Sequence, residues 1–335
     1  MSLIEWATQS EHRRCVPVGG KPGVALVESS LRECMFDAHA KAHAAVTMWR
    51  TYSTDAVFYV GDVVVEAEAL GVPTEYSDKE MPSAGGAIVT CLEDIERLAT
   101  PNLLSPSSRT AVNIECVRIL AEQFGGRLPI LAQVTGPFTT AGALLGYENI
   151  CRLVVTDPEL VERVLERVLP VILEFAAAQC EAGGDVLWVG EPVAALLSPR
   201  MFDRFCLPYL KALLGDRDEM SMLHICGDTT AHISRLVATG AQGLSLDTAV
   251  DFAAVVSEIP EDIVLIGNID PVGIMRDGSP DDVLRASNAL LEALKDRPNF
   301  ALSTGCSTPM DTAGENLHAL VGAAHEWPMP QVVLS

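Results

Sequence analysis

The feature that most limits this chain's fold is an alternation. Eight short apolar runs recur along it: "VPVGG" (16–20), "DAVFYV" (55–60), "PILAQV" (129–134), "DVLWVG" (185–190), "MLHICG" (222–227), "GLSLD" (243–247), "IVLIGNI" (263–269) and "NFALST" (299–304). Each is nearly continuous in hydrophobicity, as expected of strands buried on both faces. Amphipathic segments separate them. "DPELVERVLERVLPVILEFAAAQCEAG" opens on an Asp-Pro start signal and ends at Gly183; its internal Pro170 is a candidate kink. "SPRMFDRFCLPYLKALLG", "SPDDVLRASNALLEALKD" and "TAGENLHALVGAAHEW" repeat the Ser or Thr start signal. Strands alternating with helices imply an α/β fold with a parallel sheet. Eight of them predict a closed (β/α)8 TIM-type barrel, with a doubly wound open sheet as the rival. The reading is one barrel domain over residues 1–335. Residues 1–15 form an N-terminal extension. The long connection 61–128 carries "GVPTEYSDKEMPSAGGA", an extended loop inserted near the barrel mouth.

Composition narrows the function classes. Hydrophobic residues make up 49% of the 335 and charged residues 20%, enough for a large core. No apolar run is long enough to cross a bilayer, and "MSLIEWATQSEHRR" lacks the apolar stretch of a signal peptide. A net charge of −22 argues against nucleic acid and against anionic lipid as partners. Nine scattered cysteines form no paired framework, so a reducing, cytoplasmic setting is expected.

Barrel enzymes carry their chemistry at the C-terminal ends of the strands. There this chain places Asp62, Gly136 in "TGP", Glu191 in "GEP", His224 and Cys226 in "HICGD", and Asp247. Asn268 and Asp270 follow in "GNIDP", and Cys306 in "TGC". Residues two apart on a strand share a face, roughly 6.6 Å apart. His224 and Cys226 therefore point to the barrel axis, and Leu223 and Ile225 to the helices. A His-x-Cys on a strand is more often core than ligand. Cys306, at the end of the last strand, supplies a third soft donor and reverses that balance. One nitrogen and two sulfurs suit zinc, with a fourth position left for substrate. Asp247 is either a fourth ligand or a group that orients His224. Glu191, Asp247 and Asp270 are the catalytic candidates, and Gly136 and Asn268 the cofactor-facing ones.

On these residues the chain resembles the uroporphyrinogen decarboxylase superfamily, in its zinc-dependent corrinoid methyltransferase branch. That branch includes the methylcobalamin:coenzyme M methyltransferases. The likeness rests on "GDVVVEAEALG", "VTGPFTTAGALLG", "GGDVLWVGEP", "SPRMFDRFCLPYLKALL", "HICGDTT", "IGNIDPVGIMRDGSPDDV" and "STGCSTPMDTAGENLHALV", and covers about residues 55 to 325. It implies a (β/α)8 barrel with zinc on His224, Cys226 and Cys306. It also implies methyl transfer, within one-carbon metabolism, between a corrinoid such as methylcobalamin and a small thiol or methylated substrate. The Arg-rich N-terminal segment that resembles "RQAGRY" in the decarboxylases is absent; "HRRCVPVGGKPG" does not match it. Tetrapyrrole decarboxylation is therefore the alternative. Likeness to the cobalamin-independent methionine synthases, which hold zinc for a thiol with a similar donor set, is a second. A non-catalytic zinc-binding barrel is a third. The Asp-x-His-x-x-Gly signature of base-off cobalamin binding is missing too. "DAHAKAH" (37–43) has no such glycine and reads as helix. The corrinoid is thus expected on a separate partner protein docking at the barrel mouth. A homodimer is left open.

Overall fold

The computed structural model describes residues 1–215, 217 and 219–329. A two-residue hairpin pair, β1 (Thr74–Glu75) and β2 (Ser83–Ala84), lies in the long connection. Six parallel strands then form one sheet in chain order: β3 (Leu131–Thr135), β4 (Val186–Gly190), β5 (Met220–Ile225), β6 (Gly243–Leu246), β7 (Val264–Ile269) and β8 (Phe300–Thr304). All six coincide with predicted runs.

The period-two alternation of these strands builds two cores. Leu187, Val189, Leu223, Ile225, Leu244, Leu246, Leu265 and Leu302 face outward and pack with the helices. Val186, Trp188, Met222, Val264, Ile266 and Ala301 face inward. The N-terminal extension closes the lower end of this inner core. Its helix Leu3–Thr8 starts on a Ser2/Glu5 capping box and inserts Leu3 and Trp6 among the inward side chains.

The fold is the (β/α)8 barrel that the pattern predicts, but two of its eight expected strands are not regular. Segment 16–20 and segment 55–60 flank the sheet as isolated parallel bridges, Cys15 to Leu302 and Val57 to Ile130. Backbone bonds seat each one: Val16 N–H to Leu302 O at 3.1 Å, and Leu131 N–H to Val57 O at 3.0 Å. The two segments meet where Asp55 N–H donates to Cys15 O at 3.0 Å, and no continuous ladder crosses this seam. Local chemistry explains the departure. Pro17 has no N–H to give a ladder. Val18 N–H donates to the Thr304 hydroxyl at 3.0 Å instead of to a carbonyl. The Tyr59 carbonyl accepts from the Gln133 side-chain amide at 2.5 Å. Gly20 lets the segments approach, since a Cβ there would lie 2.4 Å from Val60 N.

The helices follow their start signals. Asp157 caps Pro158–Glu181, which continues through Pro170 without interruption, and Ser279 with Asp282 forms a capping box for Pro280–Ala293. "SPRMFDRFCLPYLKALLG" divides into Pro199–Phe205 and Leu207–Leu214, breaking at Cys206 ahead of Pro208. "DAHAKAH" lies in helix Ala38–Tyr52 with Asp37 as its cap. The connection 61–128 contains the helix Arg109–Phe124, which packs on Ala38–Tyr52 through Cys116, Val117, Leu120 and Phe124. Among the described residues no helix is long and apolar enough to cross a membrane.

Candidate metal centre and active-site cavity

β5 ends by placing His224 inward, and the chain then turns at Gly227 (φ +86°). Cys226 Sγ lies 3.2 Å from His224 Nε2 and 2.8 Å from Cys306 Sγ. The three donor atoms fall within 4.8 Å of one another. Cys306 arrives on the turn after β8, so the donors come from barrel sectors separated by β6 and β7. The two thiols share one short contact, in which either sulfur can donate, and that contact lowers the pKa of Cys306 and raises that of Cys226. A soft cation bound here would displace the thiol protons and hold both sulfurs. The imidazole is held at its edge and on its face: Nδ1 meets the buried Ser245 hydroxyl at 3.0 Å, and the ring stacks on Trp188 at 5.4 Å. Ser245 is the β6 partner of His224 in register.

Above this cluster opens a cavity of about 200 Å³. Phe58, Trp188, Val63, Val134 and Pro192 make its apolar wall, and Gln133 and Asp62 its polar one. Phe58 and Trp188 meet edge to face at 4.9 Å. Asp62 is held by Arg109, whose Nη1 lies 2.5 Å from Asp62 Oδ2 and whose Nε lies 2.6 Å from Glu68 Oε2. Arg109 thus ties the long connection to the cavity rim.

The other predicted site residues take different positions. Glu191 is fully buried, and its carboxylate accepts from Phe138 N–H at 3.0 Å, Thr139 N–H at 2.6 Å and the Thr139 hydroxyl. It therefore caps the helix Pro137–Leu145 rather than facing the cavity, and burial raises its pKa to about 7 against those donors. Gly136 is glycine for the same reason: a Cβ there would lie 2.2 Å from Glu191 Oε2. Asn268 donates to Asp247 O at 3.0 Å and Val250 O at 2.7 Å, bracing the β6 loop. Asp270 accepts from Val272 N–H and Gly273 N–H, both at 2.9 Å, and shapes a turn. Asp247 does not orient His224, a place that Ser245 occupies; its carboxylate accepts from Ala249 N–H at 3.0 Å. Nor is Asp247 within the donor cluster.

Ser245, Trp188 and Arg109 were not singled out in the sequence. The first had a signal: strand parity puts "GLSLD" position 245 inward, beside 224.

The uroporphyrinogen decarboxylase (URO-D) family model matches residues 24–327. A methylcobamide:CoM methyltransferase, MtbA, of Methanosarcina acetivorans is 30% identical over 328 residues, 93% of this chain and 94% of that protein. A methylated-thiol–coenzyme M methyltransferase of Methanosarcina mazei is 28% identical, over 92% of this chain and 82% of that protein. Among solved structures, a methyltransferase from Methanosarcina mazei superposes with a TM-score of 0.87 at 26% identity, covering 97% of each chain.

Proposed function

The chain belongs to the uroporphyrinogen decarboxylase family, and from that premise we propose that it is a zinc-dependent methyltransferase acting between a corrinoid and a small thiol. The observation that carries the reading is the convergence of His224, Cys226 and Cys306 under a cavity open to the barrel mouth. Two thiols and an imidazole fit zinc better than a hard cation, and three protein donors leave a position for substrate. Zinc held there would displace the proton of an entering thiol and leave sulfur as the nucleophile.

The chain's own residues supply the rest. Ser245 fixes the direction of the His224 ring. Phe58 and Trp188 keep water from the sulfur and leave an apolar slot for the transferred methyl. Residues 61–63 form one side of the entrance, so the long connection is part of the working mouth. The corrinoid comes as substrate on a partner protein, since no cobalamin-binding signature lies in the chain. The two relatives above are named for transfer to coenzyme M, one from a methylcobamide and one from a methylated thiol, which supports the thiol direction. Demethylation of a small methylated compound onto the corrinoid would use the same site in reverse. Decarboxylation of a tetrapyrrole fits poorly. A substrate with several carboxylates needs several fixed cations, and the described cavity lining contains no lysine or arginine.

The test follows cobalt by visible absorbance. Zinc-loaded protein with methylcobalamin should consume it on addition of a small thiol. Unchanged cobalt spectra with thiols and with methylated substrates, together with conversion of uroporphyrinogen to coproporphyrinogen, would refute the reading.

A further inference from the structure

A second cluster of metal-ligating side chains lies at the opposite, N-terminal end of the barrel. Asp55 opens the second strand segment, His12 belongs to the N-terminal extension, and His325 ends the helix Gly314–Glu326. His12 Nε2 lies 3.3 Å from Asp55 Oδ1, and His325 Nε2 lies 3.0 Å from Asp55 Oδ2. All three donor atoms fall within 4.8 Å of one another. The two imidazoles lean together with ring centroids 4.1 Å apart.

Those separations match what a metal requires. Ligands at about 2.0–2.1 Å around a tetrahedral ion stand roughly 3.3 Å from each other. The carboxylate is also held from behind, as metal-bound carboxylates commonly are. Arg14 Nη1 lies 3.0 Å from Oδ1, and Cys15 N–H donates to Oδ2 at 2.8 Å. Arg14 is itself anchored away from the imidazoles, donating to Trp6 O at 2.9 Å and lying over the Trp6 ring. The histidine side chains are 32% and 28% exposed and Asp55 only 8%, so the cluster has one wet side through which an ion and its water could enter.

From this geometry we infer that His12, Asp55 and His325 form a second site for a divalent transition cation, best suited to zinc. Two imidazoles and one carboxylate are a borderline donor set that favours zinc over calcium or magnesium. The site lies at the barrel seam, where Asp55 and Cys15 exchange the backbone contact that replaces a ladder. It joins residues 12, 55 and 325, three segments distant in sequence. Placement at the N-terminal face assigns it to stability and not to catalysis.

The experiment uses the full chain and zinc alone, by equilibrium dialysis and thermal scans. Wild type should bind two zinc ions. Cys226→Ser/Cys306→Ser should keep one and still gain melting temperature on zinc addition. His12→Ala/His325→Ala should lose one ion and that gain while keeping the ion at the cysteines. A Cys226→Ser/Cys306→Ser protein that binds no zinc, or a His12→Ala/His325→Ala protein that binds as much as wild type, overturns the site. Should the histidine variant fail to fold, the cysteine variant decides alone, and His12→Gln serves as the milder perturbation. Failure of the cysteine site appears separately, as wild type with one ion that only the histidine substitutions remove.

Discussion

Replacing Ser245 with alanine tests how the site is held. The change removes one hydroxyl and little volume from a fully buried position, so the barrel should remain folded. What it removes is the 3.0 Å contact to His224 Nδ1. A buried imidazole nitrogen left without its partner costs about 1–2 kcal/mol. That magnitude converts to roughly a fivefold to thirtyfold change in an equilibrium constant, overlapping the 10–100-fold range usual for groups behind a metal ligand. Zinc affinity, read by chelator competition, should therefore fall by about that factor in Ser245→Ala. Asp247→Asn is the paired control. Asp247 accepts from Ala249 N–H and makes no bond to His224, so its neutral isostere should leave affinity within about threefold of wild type. The reasoning fails if Ser245→Ala binds zinc as wild type does, or if Asp247→Asn shows the larger loss.

Other perturbations have effects of defined size. Gly136→Ala forces a methyl to 2.2 Å from Glu191 Oε2, displacing a carboxylate that accepts from two backbone N–H groups and the Thr139 hydroxyl; denaturant unfolding should show a loss of about 3–5 kcal/mol. Lys41 is buried beside Asn113, and burial pushes its pKa down from 10.5 to about 8. A lysine whose folded pKa is depressed costs nothing above its unfolded pKa, and the cost grows as pH falls, complete below the folded value. Wild type should therefore lose about 2 kcal/mol relative to Lys41→Met between about pH 9.5 and about pH 7. Parallel pH profiles in urea unfolding would contradict this.

The fold is legible in the sequence where one strong pattern dominates. Buried parallel strands must be apolar on both faces, so six of them stood out, and parity alone placed His224 and Cys226 inward. It is less legible where backbone needs compete with side-chain chemistry. The segments at 16–20 and 55–60 have strand composition, yet Pro17 lacks a ladder N–H, and Thr304, Gln133 and Asp55 substitute side-chain bonds for ladder bonds. Glu191, Asn268 and Asp270 looked like active-site groups because they sit at strand ends. Strand ends are also where helix N-termini and turns expose backbone N–H and C=O groups, and these three side chains satisfy such groups. Composition cannot separate the two uses, since both call for a carboxylate or an amide at the same place. Arg109 was invisible for another reason: its partners Asp62 and Glu68 lie 47 and 41 residues away.

Zinc K-edge X-ray absorption on His12→Ala/His325→Ala enzyme, with and without a small thiol, tests the central claim most directly. That variant limits the signal to the ion at His224, Cys226 and Cys306. The account predicts two sulfurs and one nitrogen at the metal, with a light-atom ligand exchanged for a third sulfur when thiol is added. A spectrum without sulfur, or a fully occupied shell that thiol leaves unchanged, would contradict it.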